Sequence, residues 1–232
     1  MINLDTLNSI KDRIKEARHR ASRDNEKPVT IVAVTKTFPH TAIISAHQTG
    51  LTNIGENRVQ EAIDKFPKLP QLPEIKKRLI GHLQSNKTRK AINIFDSIDS
   101  VDSMKLAKRI NNIGLEKNEK TEIFLQVNTA MDPSKYGFSP NNKERFLEII
   151  EMPYLNVKGL MTIGLFTRDN RLARETFIQL YSLRELLNSQ LAEQLKIEEL
   201  SMGMTNDFEI AVEEGATMLR LGSALFGERS PQ

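Results

Sequence analysis

Val29-Thr30-Ile31-Val32-Ala33-Val34 is a nearly unbroken apolar run, bounded by Pro28 and Pro39. A strand with one face in water alternates apolar and polar residues. Here both sets of alternate positions are apolar except for Thr30, so both faces must be covered, as in a parallel sheet flanked by helices. Working outward, the same kind of unit recurs. Upstream, Leu4, Leu7, Ile10, Ile14, Ala17 and Ala21 follow three/four spacing and open the chain with an amphipathic helix. Downstream, further strands are expected at Leu51 to Ile54, Leu79 to Gly81, Ile94 to Ile98, Glu122 to Asn128, Val157 to Ile163, Ile197 to Leu200 and Thr217 to Leu221. Helices are expected between them at Ala42 to Gly50, Arg58 to Phe66, Lys87 to Ile92, Val101 to Ile113 and Asn141 to Glu151. A long helix carrying Ala173, Phe177, Leu180, Leu183, Leu187 and Leu191, then Phe208 to Glu214 and a short terminal helix complete the series. Eight strands alternating with helices in 232 residues match a (β/α)8 barrel. An open doubly wound sheet is the alternative, because the repeat itself does not show closure. Residues 1–232 are read as one domain, with the first helix covering an end of the barrel.

Composition narrows the chemistry. The sequence is 39% hydrophobic and 27% charged, a globular balance, and contains no cysteine. That excludes disulfides, thiolate metal sites, iron–sulfur clusters and a cysteine nucleophile. His19, His40, His47 and His82 form no recognised metal pattern. Residues Met1 to Arg23 are studded with charge and lack the apolar centre of a signal peptide. The longest uncharged stretch, Thr37 to Gly55, contains Pro39 and two histidines and does not resemble the roughly 20 apolar residues of a membrane span. A cytoplasmic protein is expected.

The net charge is only +3, but residues 1–116 hold 20 Lys+Arg against 13 Asp+Glu. The densest basic stretch includes Lys76, Lys77, Arg78, Lys87, Arg89 and Lys90, with no acid between Ile75 and Phe95. No aromatic residue interrupts it to stack on bases, so it reads as a solvated basic face or an attractor of small anions, not a nucleic-acid platform. Gly81-His82-Leu83-Gln84-Ser85-Asn86-Lys87-Thr88 imitates a nucleotide phosphate loop, but Asn86 replaces the second glycine that lets the backbone wrap phosphates.

Lys36 sits just past the apolar strand, and residues ending barrel strands point toward the active face. A lysine there serves either as a phosphate clamp or as a Schiff-base amine. Two loops near the C-terminus sharpen the reading. Ser201-Met202-Gly203-Met204-Thr205-Asn206-Asp207 follows the seventh strand and opens a helix. Arg220-Leu221-Gly222-Ser223 repeats the pattern after the eighth. Barrel phosphate sites commonly lie after strands seven and eight, so the two loops with Lys36 suggest a phosphorylated carbonyl compound.

These segments resemble the pyridoxal phosphate homeostasis protein family, single-domain relatives of the alanine racemase barrel. The resemblance spans nearly the whole chain. It rests on Ala33-Val34-Thr35-Lys36-Thr37, Gly55-Glu56-Asn57-Arg58-Val59-Gln60-Glu61, Ile80-Gly81-His82-Leu83-Gln84-Ser85-Asn86-Lys87, Lys158-Gly159-Leu160-Met161, Ser201-Met202-Gly203-Met204 and the segment from Arg220 to Arg229. It implies a TIM barrel of the alanine racemase N-terminal domain type with an additional N-terminal helix. It also implies that Lys36 forms the aldimine with pyridoxal 5'-phosphate, that Asn57 lies beside the cofactor and that Arg220 faces the pyridine nitrogen. Ser201, Gly203, Gly222 and Ser223 would hold the phosphate. Thr205 and Ser223 depart from the usual residues but keep a hydroxyl, and Arg78 stands where a histidine is frequent.

The resemblance implies a protein that carries or buffers pyridoxal phosphate and passes it to apo-enzymes, without robust catalysis. An amino-acid racemase is the competing reading. Racemases of this fold take a second acid–base tyrosine from a β-rich domain, and no such domain is expected here. Tyr136, Tyr154 and Tyr181 lie in no recognisable catalytic motif. The protein is expected to be a monomer, with neither nucleic acid nor membrane as a partner.

Overall fold

The computed structural model describes residues 1–165, 167 and 169–227. Eight parallel strands close into a barrel in chain order, the last pairing with the first. They are β1 (Thr30–Val34), β2 (Asn53–Glu56), β3 (Lys76–Leu79), β4 (Ser97–Val101), β5 (Thr121–Gln126), β6 (Leu155–Met161), β7 (Glu199–Ser201) and β8 (Met218–Leu221). The helices are α1 (Leu4–Arg20), α2 (His40–Gln48), α3 (Val59–Lys65), α4 (Thr88–Ile94), α5 (Met104–Lys117), α6 (Lys143–Ile150), α7 (Asn170–Asn188), α8 (Phe208–Glu213) and α9 (Ser223–Phe226). Closure removes the open-sheet alternative.

Strand β1 shows why both of its faces are apolar. Ile31 and Ala33 join the main core, whereas Val32 joins Phe124, Met161 and Met218 in a separate buried cluster. Those four side chains come from β1, β5, β6 and β8, and strand residues two apart share a face. The main core lies between sheet and helices, and the small cluster plugs the barrel.

Several boundaries differ from the expectation for one physical reason. Strand β3 begins at Lys76, inside the basic stretch read as a solvated face. The Lys76 ammonium donates to Glu122 at 2.7 Å, and buried Arg78 donates to both oxygens of buried Asp99 at 3.2 and 3.1 Å. Lys77 lies 5.3 Å over the Phe66 ring. Strand β4 correspondingly starts at Ser97, later than expected, because Ser97 and Asp99 are partners of Arg78 and belong inside the barrel. Strand β2 extends to Glu56, whose carboxylate is buried. In each case, charged residues pair in the interior, where an alternation of apolar and polar residues cannot register them.

Helix α1 has its N-cap at Asn3, whose side chain accepts from the amides of Asp5 and Thr6. Its buried stripe is Leu7, Ile10, Ile14 and Ala17, and its principal neighbour is α8. Arg13 holds Glu209 through two hydrogen bonds of 3.2 and 2.9 Å, and Arg20 reaches Glu213 at 2.8 Å. The expectation that this helix covers an end of the barrel is met only at its margin. Lys11 and Ile14 edge a groove of about 680 Å³ beside the starts of β1 and β2, but the main packing is against the helical ring. Among the described residues, no helix is long and apolar enough to cross a membrane.

Candidate functional site

Strands β7, β8, β1 and β2 are consecutive neighbours around the barrel, and their C-terminal ends carry the residues singled out from sequence. Val34 pairs with Gly55, and Ala33 with Leu221. This register sets Lys36 after β1, Asn57 after β2 and the Gly222-Ser223 pair after β8 around one rim, with Ser201 and Gly203 completing the arc from β7.

Lys36 is half-buried, in the turn that leaves β1. The Phe38 amide donates to the Thr35 carbonyl at 3.0 Å across this turn, and Thr37 inside it has a φ of +66°. A β-branched residue in that region is an outlier that its surroundings must hold in place. Asn57 is half-buried, and its backbone packs against Gly81: a Cβ at Gly81 would lie 2.3 Å from the Asn57 carbonyl oxygen. The glycine of the false phosphate loop thus serves a close approach between two strand ends.

Arg220 is buried at the end of β8, and three acceptors fix its guanidinium. Nη1 donates to the Ser201 carbonyl at 2.7 Å and to Ser201 Oγ at 2.9 Å, while Nη2 donates to the Thr162 carbonyl at 2.7 Å. Burial lowers its pKa to about 10, against the pull of Asp207 and Asp99. It therefore keeps its charge at neutral pH. Asp207 is pushed the other way: burial raises its carboxyl above the usual range, despite a 2.6 Å hydrogen bond from the Met204 amide. Ser201 is buried beside Arg220 and serves first as an acceptor for it, with its hydroxyl proton still available to donate.

The two glycines differ. Gly203 has a φ of +92°, and a Cβ there would lie 2.6 Å from the Ala211 Cβ. Its reason is internal packing. Gly222 is under no such constraint: the nearest atoms a Cβ would meet belong to Val34, at 3.6 Å, an ordinary van der Waals contact. Next to it, Ser223 Oγ donates to Thr205 Oγ1 at 3.2 Å, and the Ala224 amide donates to the same oxygen at 3.2 Å. Two hydroxyls and the Ala224 amide converge there. Thr205, noticed in the sequence only as a departure from the family pattern, is the hub of that group.

The far arc of the same rim, after β3, β4 and β5, holds residues the sequence reading left aside. His82 Nδ1 lies 2.8 Å from Asp102 Oδ2, and its ring stacks on Tyr136 with centroids 3.9 Å apart. Lys135 is engaged with the Gly164 carbonyl at 2.8 Å. Among the described residues, no cluster of His, Asp or Glu could hold a metal ion. Glu228 and Arg229, at the end of the last family motif, lie outside the described residues.

If Gly222 marks the place where a ligand approaches the backbone, Gly222→Ala should leave the stability of the ligand-free chain within about 0.5 kcal/mol. It should weaken binding of inorganic phosphate or a phosphorylated ligand about tenfold by setting a methyl group against the bound anion. Thermal melts and titration of the same protein check both halves, and unchanged affinity would remove Gly222 from the site.

Across residues 6–230 the chain matches the family described as alanine racemase, N-terminal domain. It is 37% identical over 225 residues to the pyridoxal phosphate homeostasis protein of Pasteurella multocida, covering 96% of each sequence. PipY of Synechococcus elongatus, solved with pyridoxal phosphate bound, is similar with a TM-score of 0.80 and 39% identity, over 91% of this chain and 99% of that one. An alanine racemase of Clostridium difficile shares the fold alone, with a TM-score of 0.75 at 18% identity. All of this chain, and 59% of that racemase, are covered. With a closed barrel, an additional N-terminal helix and relatives matched over nearly their full length, the chain belongs to the pyridoxal phosphate homeostasis protein family, on a barrel of the alanine racemase N-terminal domain type.

Proposed function

We propose that this chain binds pyridoxal phosphate at the rim formed by the ends of β1, β2, β7 and β8, and that it carries and buffers the cofactor without turning over substrates. The observation that best supports this reading is the group beside Gly222, where the hydroxyls of Thr205 and Ser223 meet the Ala224 amide. That donor set suits a phosphate group. Half-buried Lys36 shares the rim, so an amine and an anion site stand on neighbouring strands.

When bound, the cofactor supplies an aldehyde for a lysine amine and a pyridine ring able to draw electrons from a substrate. Lys36 offers its Nζ to that aldehyde. Asn57 lies alongside, held by its backbone contact with Gly81. Thr205, Ser223 and the Ala224 amide would hold the phosphate, and Gly203 lets the β7 loop pack close to α8. Ser201 and the Thr162 carbonyl fix the guanidinium of Arg220, the residue that would face the ring nitrogen. Because Arg220 keeps its proton at neutral pH, it would offer that nitrogen a hydrogen bond without transferring a proton, which would limit the cofactor as an electron sink. The proposed role is that of a monomer inside the cell that passes cofactor to apo-enzymes, with neither nucleic acid nor membrane as a partner.

The test uses the purified protein loaded with pyridoxal phosphate. Borohydride reduction and peptide mapping should place the adduct on Lys36, and an adduct confined to Lys135 or Lys87 overturns the assignment. Incubation with a panel of amino acids, followed by chiral chromatography, should give less than one turnover per protein. General acid–base help is worth about 10²–10⁴-fold, so a functioning racemase would stand well clear of that background. Turnover that accumulates and is lost with Lys36 overturns the carrier reading in favour of a racemase-like enzyme.

A further inference from the structure

The two residues flanking Lys36 are held by one buried network that the proposed function does not use. Lys65, near the end of α3, donates from Nζ to the Thr35 carbonyl at 3.0 Å, to Glu56 Oε1 at 2.6 Å and to Glu61 Oε1 at 2.9 Å. All three protons of the ammonium are thereby engaged. Glu56 Oε1 also accepts from Thr35 Oγ1 at 2.6 Å. Glu61 Oε1 also accepts from the Thr37 amide at 2.6 Å. Lys65 and Glu56 are buried, whereas Glu61 is partly exposed. The network thus grips the carbonyl and hydroxyl of residue 35 and the amide of residue 37, leaving Lys36 between two fixed points.

We infer that Glu61 and Lys65 are positioning residues for Lys36, bracing the strained turn from which its amine is presented. Three observations converge. Thr37 has a φ of +66°, a conformation a threonine adopts only under constraint. Its amide donates to the side chain of Glu61, across the interval from β1 to α3. Glu56 has been brought fully inside the protein with one oxygen, Oε2, lacking a hydrogen-bond partner among the described residues. A buried carboxylate with an unsatisfied oxygen is costly, and the cost is understandable if its other oxygen is needed to hold Thr35 and Lys65. Glu61 and Lys65 stand four apart on α3, so one helix face supplies both arms of the brace.

The inference rests on Lys36 being the attachment lysine, and the experiment separates the two. Glu61 borders an open groove of about 670 Å³, so shortening it leaves no sealed cavity. Three variants are compared with wild type: Glu61→Ala, Glu61→Gln, and Glu61→Ala combined with Thr37→Gly. The measurements are pyridoxal phosphate affinity by absorbance titration, the pH midpoint of the visible band of the loaded protein, and the melting temperature of the ligand-free protein. Glu61→Ala should weaken binding about tenfold, the scale of losing a hydrogen bond to a charged group, and should move the pH midpoint. Glu61→Gln retains an acceptor for the Thr37 amide and should restore both. Thr37→Gly should also recover most of the loss, because glycine takes a positive φ without steric cost. That second rescue would not follow if Glu61 merely supported α3. Wild-type affinity and midpoint in Glu61→Ala, or a loss recovered by neither partner change, overturns the inference. A wild-type adduct that maps away from Lys36 overturns the attachment assignment and this inference with it.

Discussion

Lys36→Ala should remove the visible absorbance of the cofactor-loaded protein and all adduct trapped by borohydride. The fold should survive, because Lys36 lies in the turn after β1 and is only half-buried. Truncation at such a position is typically worth about 1 kcal/mol, or about 2–4 °C in a chain of this size. Ligand-induced stabilisation should fall much further. At a cofactor concentration 100 times the dissociation constant, binding raises stability by about 2.7 kcal/mol, equivalent to about 5–10 °C. The alanine variant should lose most of that increment and keep only what the phosphate cradle provides. Differential scanning fluorimetry with and without pyridoxal phosphate, beside the absorbance spectrum, checks both effects. A full thermal shift in the variant would show that the phosphate contacts alone hold the cofactor.

Gly203→Ala should have the largest effect on the fold itself. The residue has a φ of +92°, and the new Cβ would meet the Ala211 Cβ at 2.6 Å and the Leu219 Cδ2 at 2.8 Å. Left-handed backbone strain costs about 1–3 kcal/mol and overpacking of a core about 1–3 kcal/mol. The sum, about 2–6 kcal/mol, corresponds to a melting temperature lowered by roughly 4–24 °C. Thermal unfolding followed by circular dichroism measures it. The contrast with Gly222→Ala is the informative part. One glycine is needed for internal packing, and the other is assigned to the ligand by the proposed function. A melting temperature within 2 °C of wild type in Gly203→Ala would mean that α8 can retreat from β7 more freely than its packing suggests.

The legibility of the sequence followed the distribution of charge in the barrel. Strand β1 was readable because Ile31, Val32, Ala33 and Val34 are apolar on both faces and meet hydrophobic neighbours on both. Strands β3 and β4 were displaced in the reading because Arg78, Ser97 and Asp99 satisfy one another inside the barrel. Residue type suggests surface for each, and only the pairing explains their burial. The rim residues were legible as motifs, because glycine and hydroxyl after successive strands make a repeated local pattern. Their division of labour was not. Ser201, grouped with the phosphate from sequence, accepts from Arg220, while Thr205 gathers the hydroxyl and amide beside Gly222. The brace around Lys36 left a faint trace in the four-residue interval between Glu61 and Lys65. Nothing local, however, announces that a helix side chain reaches back to the amide of Thr37.

The cluster of Val32, Phe124, Met161 and Met218 makes the barrel a cup and not a tube. These side chains are buried to within 2% and come from four strands, so nothing held at the rim can leave through the floor. In the proposed carrier role, loading and unloading would share one doorway. A protein that receives a small molecule through that opening can hand it on only after its supplier has moved away, so donor and recipient take turns at the same face. Exchange of this kind is strictly sequential. Under that proposal its pace would be set by how long the doorway stays occupied.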